Sequence, residues 1–433
     1  MAEKVLILGL SKSGIAAAKF AVSKGYDVYV TEKKNEVNLE QVKELQNLGV
    51  KIEHGSHSEE FISGASFAIT SPGIPPKSEI FRRLNEKNIK IISEVEFAYL
   101  NTKTPFIAIT GTNGKTTTTA LVSHILSKKF SAPVCGNIGV PPTSLIEENH
   151  DFLVCEISSY QAQMTEKFKA KIACWTNFTP DHIDWHGGLE NYFNAKAKIF
   201  LPPQEPEFAI LNAQDTKLKE FSKQCQNVIF FDDGNDCGIK NNSIFYKGEE
   251  IISLKDCPLV GHHNYQNIMC GIIIAKLVGM NNSDIREQIM SFRAPEHRLE
   301  KVREMDGITF FNDSKATNPE ASIVAIDSFN NQNVALILGG RDKNTDLTEM
   351  CHSINKHIKT VLLIGEATER FEENLKKNGF SNIIKEHTME EAIDKAISLK
   401  PDVVLLSPAC ASFDMFKSYE HRGEVFKDYV LSK

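Results

Sequence analysis

Between Pro105 and Phe130 the chain reads PFIAITGTNGKTTTTALVSHILSKKF. A short β-branched run beside a proline predicts a buried strand, and the apolar residues after Thr119 recur at helical spacing. Strand, glycine turn and helix in succession gather backbone N–H groups and the positive end of a helix around one small volume, which is an anion site. Lys115 adds a point charge for outer phosphates, and the hydroxyl of Thr116 is placed to hold Mg²⁺. Ile109 stands where the usual G-x-x-x-x-G-K-[ST] pattern has its first glycine, so the loop is a compact form. Its phosphate-contacting set is Gly111, Thr112, Asn113, Gly114, Lys115, Thr116 and Thr117. The alternative, a glycine turn with a surface lysine, has to explain the coincidence of strand, glycines, Lys-Thr and helix.

A chain of 433 residues predicts about three domains, and 41% hydrophobic residues suffice for a core in each. The formal net charge of −7, with no basic block, gives no sign of a nucleic-acid surface. The nine cysteines form no C-x-x-C pair, which points to reduced thiols and a cytoplasmic setting. No run approaches the roughly 20 apolar residues of a membrane-spanning helix, so no membrane partner is expected.

Three similar α/β blocks follow from the pattern. The first opens with KVLILGLSKSGIAAAKFAVSKGYDVYVTE, a strand, turn, helix and strand ending at Glu32. Ser11 occupies the place of the second glycine of G-x-G-x-x-G, where a pyrophosphate needs close backbone approach. A nicotinamide cofactor is thereby disfavoured, and a UDP-linked ligand held by Ser11, Lys12 and Ser13 remains open. FAITSPGI predicts a strand ending in a turn at Ser71 and Gly73, which either binds ligand or only shapes the turn. The middle block runs from about Ser93 to about Glu296. Its strands are expected to end at Glu156 and near Asn177 and His182, converging on the phosphate loop. A carboxylate and an imidazole there suit the surroundings of Mg²⁺, which prefers oxygen ligands. Asn264 and Asn267, ahead of IMCGIIIAKLVG, read as nucleotide contacts, with helix capping by Asn264 as the rival or companion role. In the last block VALILGG, TVLLIG and DVVLLSPA are near-continuous apolar strands of a parallel sheet covered on both faces. Asn312, Asp313, Ser314, Lys315 and Thr317 crowd one loop, and Arg298 precedes it.

With GTNGKTTTT, CEISSYQ, TNFTPDHIDWHG, NAKAKIF, GHHNYQN, EHRLE, NDSKATN and LSPACASFDMFKSYEHRG in this order, the chain resembles the Mur ligase family over essentially its whole length. The resemblance implies an α/β fold of three domains: a Rossmann-like N-terminal domain for the UDP-linked substrate at 1–92, a central P-loop ATPase-like domain at 93–296, and a Rossmann-like C-terminal domain for the amino acid at 297–433. SSYQ and the SPACASFDMF tail are similar to the member that adds D-glutamate to UDP-N-acetylmuramoyl-L-alanine. The implied chemistry is ATP-dependent: a terminal carboxylate becomes an acyl phosphate, which the incoming amine attacks.

Carried over by motif, the resemblance makes Lys115, Lys196 and His182 catalytic. It gives Mg²⁺, expected as two ions, the ligands Thr116, Glu156, His182 and a carbamylated Lys196. A carbamate would turn that lysine into a hard oxygen ligand. Asn264, Asn267, Arg298 and Asp313 join the phosphate loop around ATP. Ser11, Lys12, Ser13, Glu32, Lys33, Ser71 and Gly73 take the UDP end of the other substrate, and Asn137, Ser158, Ser159 and Gln161 its acyl end. Lys315, Thr317, Lys343, Ser412, Phe413 and Tyr419 frame D-glutamate, and a monomer is expected. Rival readings are a sibling ligase for another amino acid, a nicotinamide dehydrogenase built on GLSKSG, and a non-catalytic ATP-binding regulator.

Overall fold

The computed structural model describes residues 2–181, 183–259, 261–293, 296–329, 332–342 and 345–433, with Asp184 described by its backbone alone. The first sheet contains β1 (Lys4–Leu8), β2 (Asp27–Glu32), β3 (Lys51–His54), β4 (Phe67–Thr70) and β5 (Lys90–Ser93). All are parallel, in the order β3-β2-β1-β4-β5. Side chains alternate across a strand, and β1 shows it: Val5 and Ile7 join one buried cluster, Leu6 and Leu8 another on the opposite face. Strand order reverses at β1 and β4, so the turns after these two strands open side by side.

The second sheet holds β6 (Phe106–Thr110), β7 (Val134–Gly136), β8 (Leu153–Glu156), β9 (Ile172–Trp175), β10 (Phe208–Asn212), β11 (Val228–Phe231), β12 (Cys237–Lys240), β13 (Ser243–Tyr246) and β14 (Glu249–Ser253). Their order is β14-β13-β12-β11-β10-β9-β6-β8-β7. β6 lies between β8 and β9, parallel to both, so the chain ends of these three strands meet around the loop that follows Thr110. β12, β13 and β14 form an antiparallel edge that the apolar-run reading does not foresee. Its turns are two-residue ones with positive φ, at Asn241 (49°) and Asn242 (57°) and at Lys247 (48°) and Gly248 (83°).

One short helix, Glu94–Leu100, serves both of these sheets. Phe97 belongs to the core of the first, with its ring 5.6 Å from that of Phe20, while Val95 and Ala98 belong to the core of the second. Its acidic residues Glu94 and Glu96 are buried. Glu96 accepts hydrogen bonds from the N–H groups of Glu166 (3.0 Å), Lys167 (2.8 Å) and Phe168 (2.9 Å). Glu94 Oε1 accepts from the N–H (2.8 Å) and hydroxyl (2.6 Å) of Thr143.

The third sheet contains β15 (Glu300–Met305), β16 (Ile308–Asn312), β17 (Val334–Gly339), β18 (Thr360–Ile364), β19 (Ile383–Lys385) and β20 (Val403–Leu406), in the order β15-β16-β20-β17-β18-β19. It corrects the all-parallel expectation at one edge. β15 runs antiparallel to β16 through a turn at Asp306 (φ 52°) and Gly307 (φ 80°). Leu336 and Leu338 pack on one face, Ala335 and Ile337 on the other, so both faces are covered. The chain divides into two compact units, Met1–Cys257 with Gln266–Phe292 and Pro258–Tyr265 with Arg293–Lys433. Among the described residues no helix is long and apolar enough to cross a membrane.

Candidate functional site

The loop after β6 has a backbone that only glycine tolerates at two points. Gly111 has φ +149° and Gly114 φ +80°. A Cβ on Gly111 would stand 1.9 Å from Thr176 Oγ1, and one on Gly114 2.7 Å from Asn267 Oδ1. Neighbouring strand ends hold the loop's shape. Asn177 accepts from the Asn113 N–H (2.9 Å) and donates to the Asn113 carbonyl (3.1 Å), to which the Thr176 hydroxyl also donates (2.6 Å). The Thr112 hydroxyl shares a hydrogen bond with Tyr192 (3.1 Å). Gly114 is the N-cap of the helix Lys115–Leu126, and among the described residues no side chain caps it. A helix start of this kind, wrapped by glycine backbone, fits a phosphate chain. Lys115 Nζ lies across the loop, donating to the carbonyls of Gly111 (3.0 Å) and Thr112 (2.7 Å). Thr117 lies buried in the first turn, and Asn267 accepts from the Thr118 hydroxyl (3.0 Å) beside it.

The adjacent end of β8 delivers Glu156, which is buried. Thr116 Oγ1 donates to its Oε2 at 2.9 Å and Asn137 Nδ2 to its Oε1 at 2.8 Å. A hydroxyl and a carboxylate in contact beside a phosphate loop are hard oxygen donors that fit Mg²⁺. Lys196 is also buried, and its Nζ donates to the Gly111 carbonyl at 2.7 Å while lying 4.9 Å from the Tyr192 ring centroid. Burial and then the neighbouring charge of Lys115 hold its pKa well below the usual lysine value, against the opposing pull of Asp181 and Glu156. His182 lies outside the described residues. Thr176, Tyr192 and Asp181 escaped the sequence reading. The one available signal was Gly111 itself, since a glycine with no room for Cβ implies a close neighbour.

At the first sheet, the turns after β1 and β4 bring three predicted residues together. Ser11 Oγ donates to Ser71 Oγ (2.8 Å) and shares a hydrogen bond with Ser13 Oγ (3.0 Å). Gly14 permits this turn, because a Cβ there would meet the Gly9 carbonyl at 2.1 Å. Glu32 accepts from the N–H groups of Leu10 and Lys34, both at 3.0 Å, so each oxygen holds a turn. Lys12, Lys33 and Gly73 are exposed nearby in the chain. On the second sheet Ser158 and Gln161 close a capping box on the helix Ser159–Gln163, with 3.1 Å between their side chains. Ser159 instead faces His186 Nε2 at 3.0 Å.

In the second unit the loop after β16 carries Asp313, Lys315 and Thr317. Asp313 is buried, accepting from the Ser407 hydroxyl (2.7 Å) and the Leu299 N–H (3.1 Å). Burial pushes its carboxyl up to about 7, against those hydrogen bonds and the charges of Arg298 and Arg422. Lys315 Nζ lies 5.1 Å from the Tyr419 ring centroid, joining two residues predicted for the amino acid. Arg298 and Thr317 are half-buried, Ser412 is buried and Phe413 is 64% exposed. Lys343 lies outside the described residues. Asn264 corrects the capping expectation. The N–H groups of Asn264 and Tyr265 already donate to the Gly261 carbonyl, so Asn264 sits inside the first turn of the helix His262–Leu277.

Comparison with known proteins covers almost the entire chain. "Mur ligase MurD-like, N-terminal domain" matches residues 3–93, "Mur ligase middle domain" 109–275 and "Mur ligase, glutamate ligase domain" 297–410. The UDP-N-acetylmuramoylalanine–D-glutamate ligase of Caldanaerobacter subterraneus subsp. tengcongensis is 37% identical over 99% of this chain and 98% of its own length. The protein of the same name from Thermoanaerobacter pseudethanolicus is 38% identical with the same coverage. Among solved structures, the UDP-N-acetylmuramate-alanine ligase MurC of Thermotoga maritima aligns with TM-score 0.62 and 20% identity over 99% of this chain and 100% of its own. MurF of Acinetobacter baumannii gives 0.63 and 17% over 99% and 93%. These two carry the fold, and the sequence relatives carry the kinship: the chain belongs to the Mur ligase family, ATP- and Mg²⁺-dependent ligases that form amide bonds.

Proposed function

We propose that the chain joins D-glutamate to UDP-N-acetylmuramoyl-L-alanine at the cost of ATP, releasing ADP and phosphate in peptidoglycan precursor synthesis. The observation that carries the reading is the contact between Thr116 and Glu156 beside a glycine loop crossed by Lys115. The choice of substrates is supported by relatives of that name at 37–38% identity along nearly full lengths. In this reading residues 1–92 bind the UDP-linked substrate, 93–296 bind ATP and 297–433 bind the amino acid.

In this reading the loop N–H groups and Lys115 bind and orient the phosphates of ATP. Bound Mg²⁺ reduces repulsion between the nucleotide and the substrate carboxylate and stabilises charge on the transferring group. Thr116 and Glu156 hold one ion; His182 and a carbamylated Lys196 hold a second. The carbamate forms when the neutral amine of Lys196 adds to CO₂ and releases a proton, and the burial of Lys196 favours that neutral amine. Asn137 and Ser159 orient the acyl end, while Ser11, Ser13 and Ser71 hold the UDP end. Asn264, Asn267, Arg298 and Asp313 contact ATP. Lys315, Thr317, Lys343, Ser412, Phe413 and Tyr419 grip the carboxylates and carbon chain of D-glutamate, leaving its amine to attack the acyl phosphate.

The test is phosphate release with Mg²⁺-ATP and UDP-N-acetylmuramoyl-L-alanine across D- and L-amino acids. Release that depends on D-glutamate alone is expected. Release with a different amino acid would move the specificity within the family, and none with any would return the regulator reading.

A further inference from the structure

Arg422 is the largest charged side chain buried among the described residues, at 1% exposure. Among the described residues it forms no ion pair. Its guanidinium is satisfied by two loops. Nε donates to Ser314 Oγ (3.0 Å) and one terminal nitrogen to the Ser314 carbonyl (2.8 Å), on the loop after β16. The Cys410 carbonyl (3.0 Å) and the Ala411 carbonyl (3.4 Å) accept from it on the loop after β20. Gly340 is close as well, where a Cβ would lie 3.1 Å from the guanidinium. Asp414 and Asp313 act on this cation through space without pairing with it; burying a cation with no ion pair is unfavourable, and an apolar side chain would fill the space with less loss. The planar fork of arginine reaches acceptors in different directions at once, which the single ammonium of lysine does not.

We propose that Arg422 is a positioning residue for the incoming amino acid, fixing the loop of Ser314 and Lys315 against the loop of Ala411 and Ser412. This rests on the reading above that Lys315 and Ser412 contact that amino acid. The ATP contact assigned to Asp313 has hydrogen bonds of its own, from Ser407 and the Leu299 N–H, and Arg422→Lys keeps the positive charge that acts on it.

Arg422→Lys is tested in the full chain by phosphate release with each substrate varied in turn. The KM for D-glutamate should rise about tenfold, equivalent to about 1.4 kcal/mol. The KM values for ATP and the UDP-linked substrate, and kcat at saturating D-glutamate, should stay near wild type. An equal rise in all three KM values, or a fall in kcat with KM unchanged, overturns the proposal. If wild type turns over a different amino acid, the D-glutamate assignment fails and the same comparison is made with that amino acid. Hydrogen exchange gives a readout independent of turnover: amides of 314–317 and 409–416 should exchange faster in Arg422→Lys, and unchanged exchange in both loops overturns the clamp. Should that variant not fold, Ser314→Ala, which removes one acceptor, is read in the same two ways and should raise the same KM by a smaller factor.

Discussion

Glu156 receives one hydrogen bond on each carboxylate oxygen, from Thr116 and from Asn137, so its orientation is set before any ligand binds. Lys115 and Lys196 share the Gly111 carbonyl in the same small volume. Their fates should differ on substitution. Lys115→Ala removes the charge proposed to meet the ATP phosphates, and phosphate release should fall by at least about a hundredfold, with circular dichroism unchanged. Lys196→Ala should also be inactive, yet recover part of its phosphate release when formate or acetate is added, because a small carboxylate can occupy the place of the proposed carbamate. No recovery would argue against that modification. Lys115, Thr116 and Glu156 were legible in the sequence, since motif and strand end fix them locally. Thr176, Tyr192 and Arg422 were not: each makes a hydrogen bond that spans more than 60 residues of chain, and nothing in their own surroundings marks them. Ser158 and Gln161 were legible as neighbours of Glu156, but their mutual cap depends on a helix only five residues long.

At the level of elements, parallel strands such as those in VALILGG and TVLLIG were readable because they are short, near-continuous apolar runs. The edge β12–β14 was not, because its strands alternate and its turns, Asn-Asn and Lys-Gly, lie in a polar stretch. The helix Glu94–Leu100 holds a testable charge. Burial raises the carboxyl of Glu94 to about 7 from its ordinary 4.5, partly opposed by the hydrogen bonds from Thr143. A raised carboxylate pKa means that the folded state keeps a proton the unfolded chain has lost. The resulting stability is complete below about pH 4.5 and is lost as pH rises through 7, an effect on the order of 3 kcal/mol. Glu94→Gln keeps the acceptor for Thr143 and does not titrate. Thermal melts from pH 5 to pH 8 should therefore show the variant gaining on wild type, with most of the gain by pH 8. Parallel melting curves would place the ionisation of Glu94 elsewhere.

For the whole molecule, about three domains followed from length and three α/β blocks from the strand and helix pattern, whereas the division into two compact units did not. That division depends on which cores one helix joins, and a pattern of apolar spacing does not specify its partners. The proposed metal site makes a prediction on the same scale. Thr116 and Asn137 are already hydrogen-bonded to Glu156, and the loop is held by Thr176 and Asn177, so the fold does not need the ion. Chelation with excess EDTA should stop phosphate release and leave the melting temperature of the ligand-free chain where it was. A large fall in that temperature would mean that the ion is structural.

The helix Glu94–Leu100 also sets where the chain can be recombined with its kin. The family matches end at residue 93 and resume at 109, and the helix lies in the gap. A chimera joined at residue 93 would inherit Phe97 from one parent and the pocket for its ring, between Phe20 and Phe67, from the other. The workable graft carries the N-terminal sheet together with this helix, and must bring Thr143 and residues 166–168 from the same parent, because Glu94 and Glu96 read their backbones.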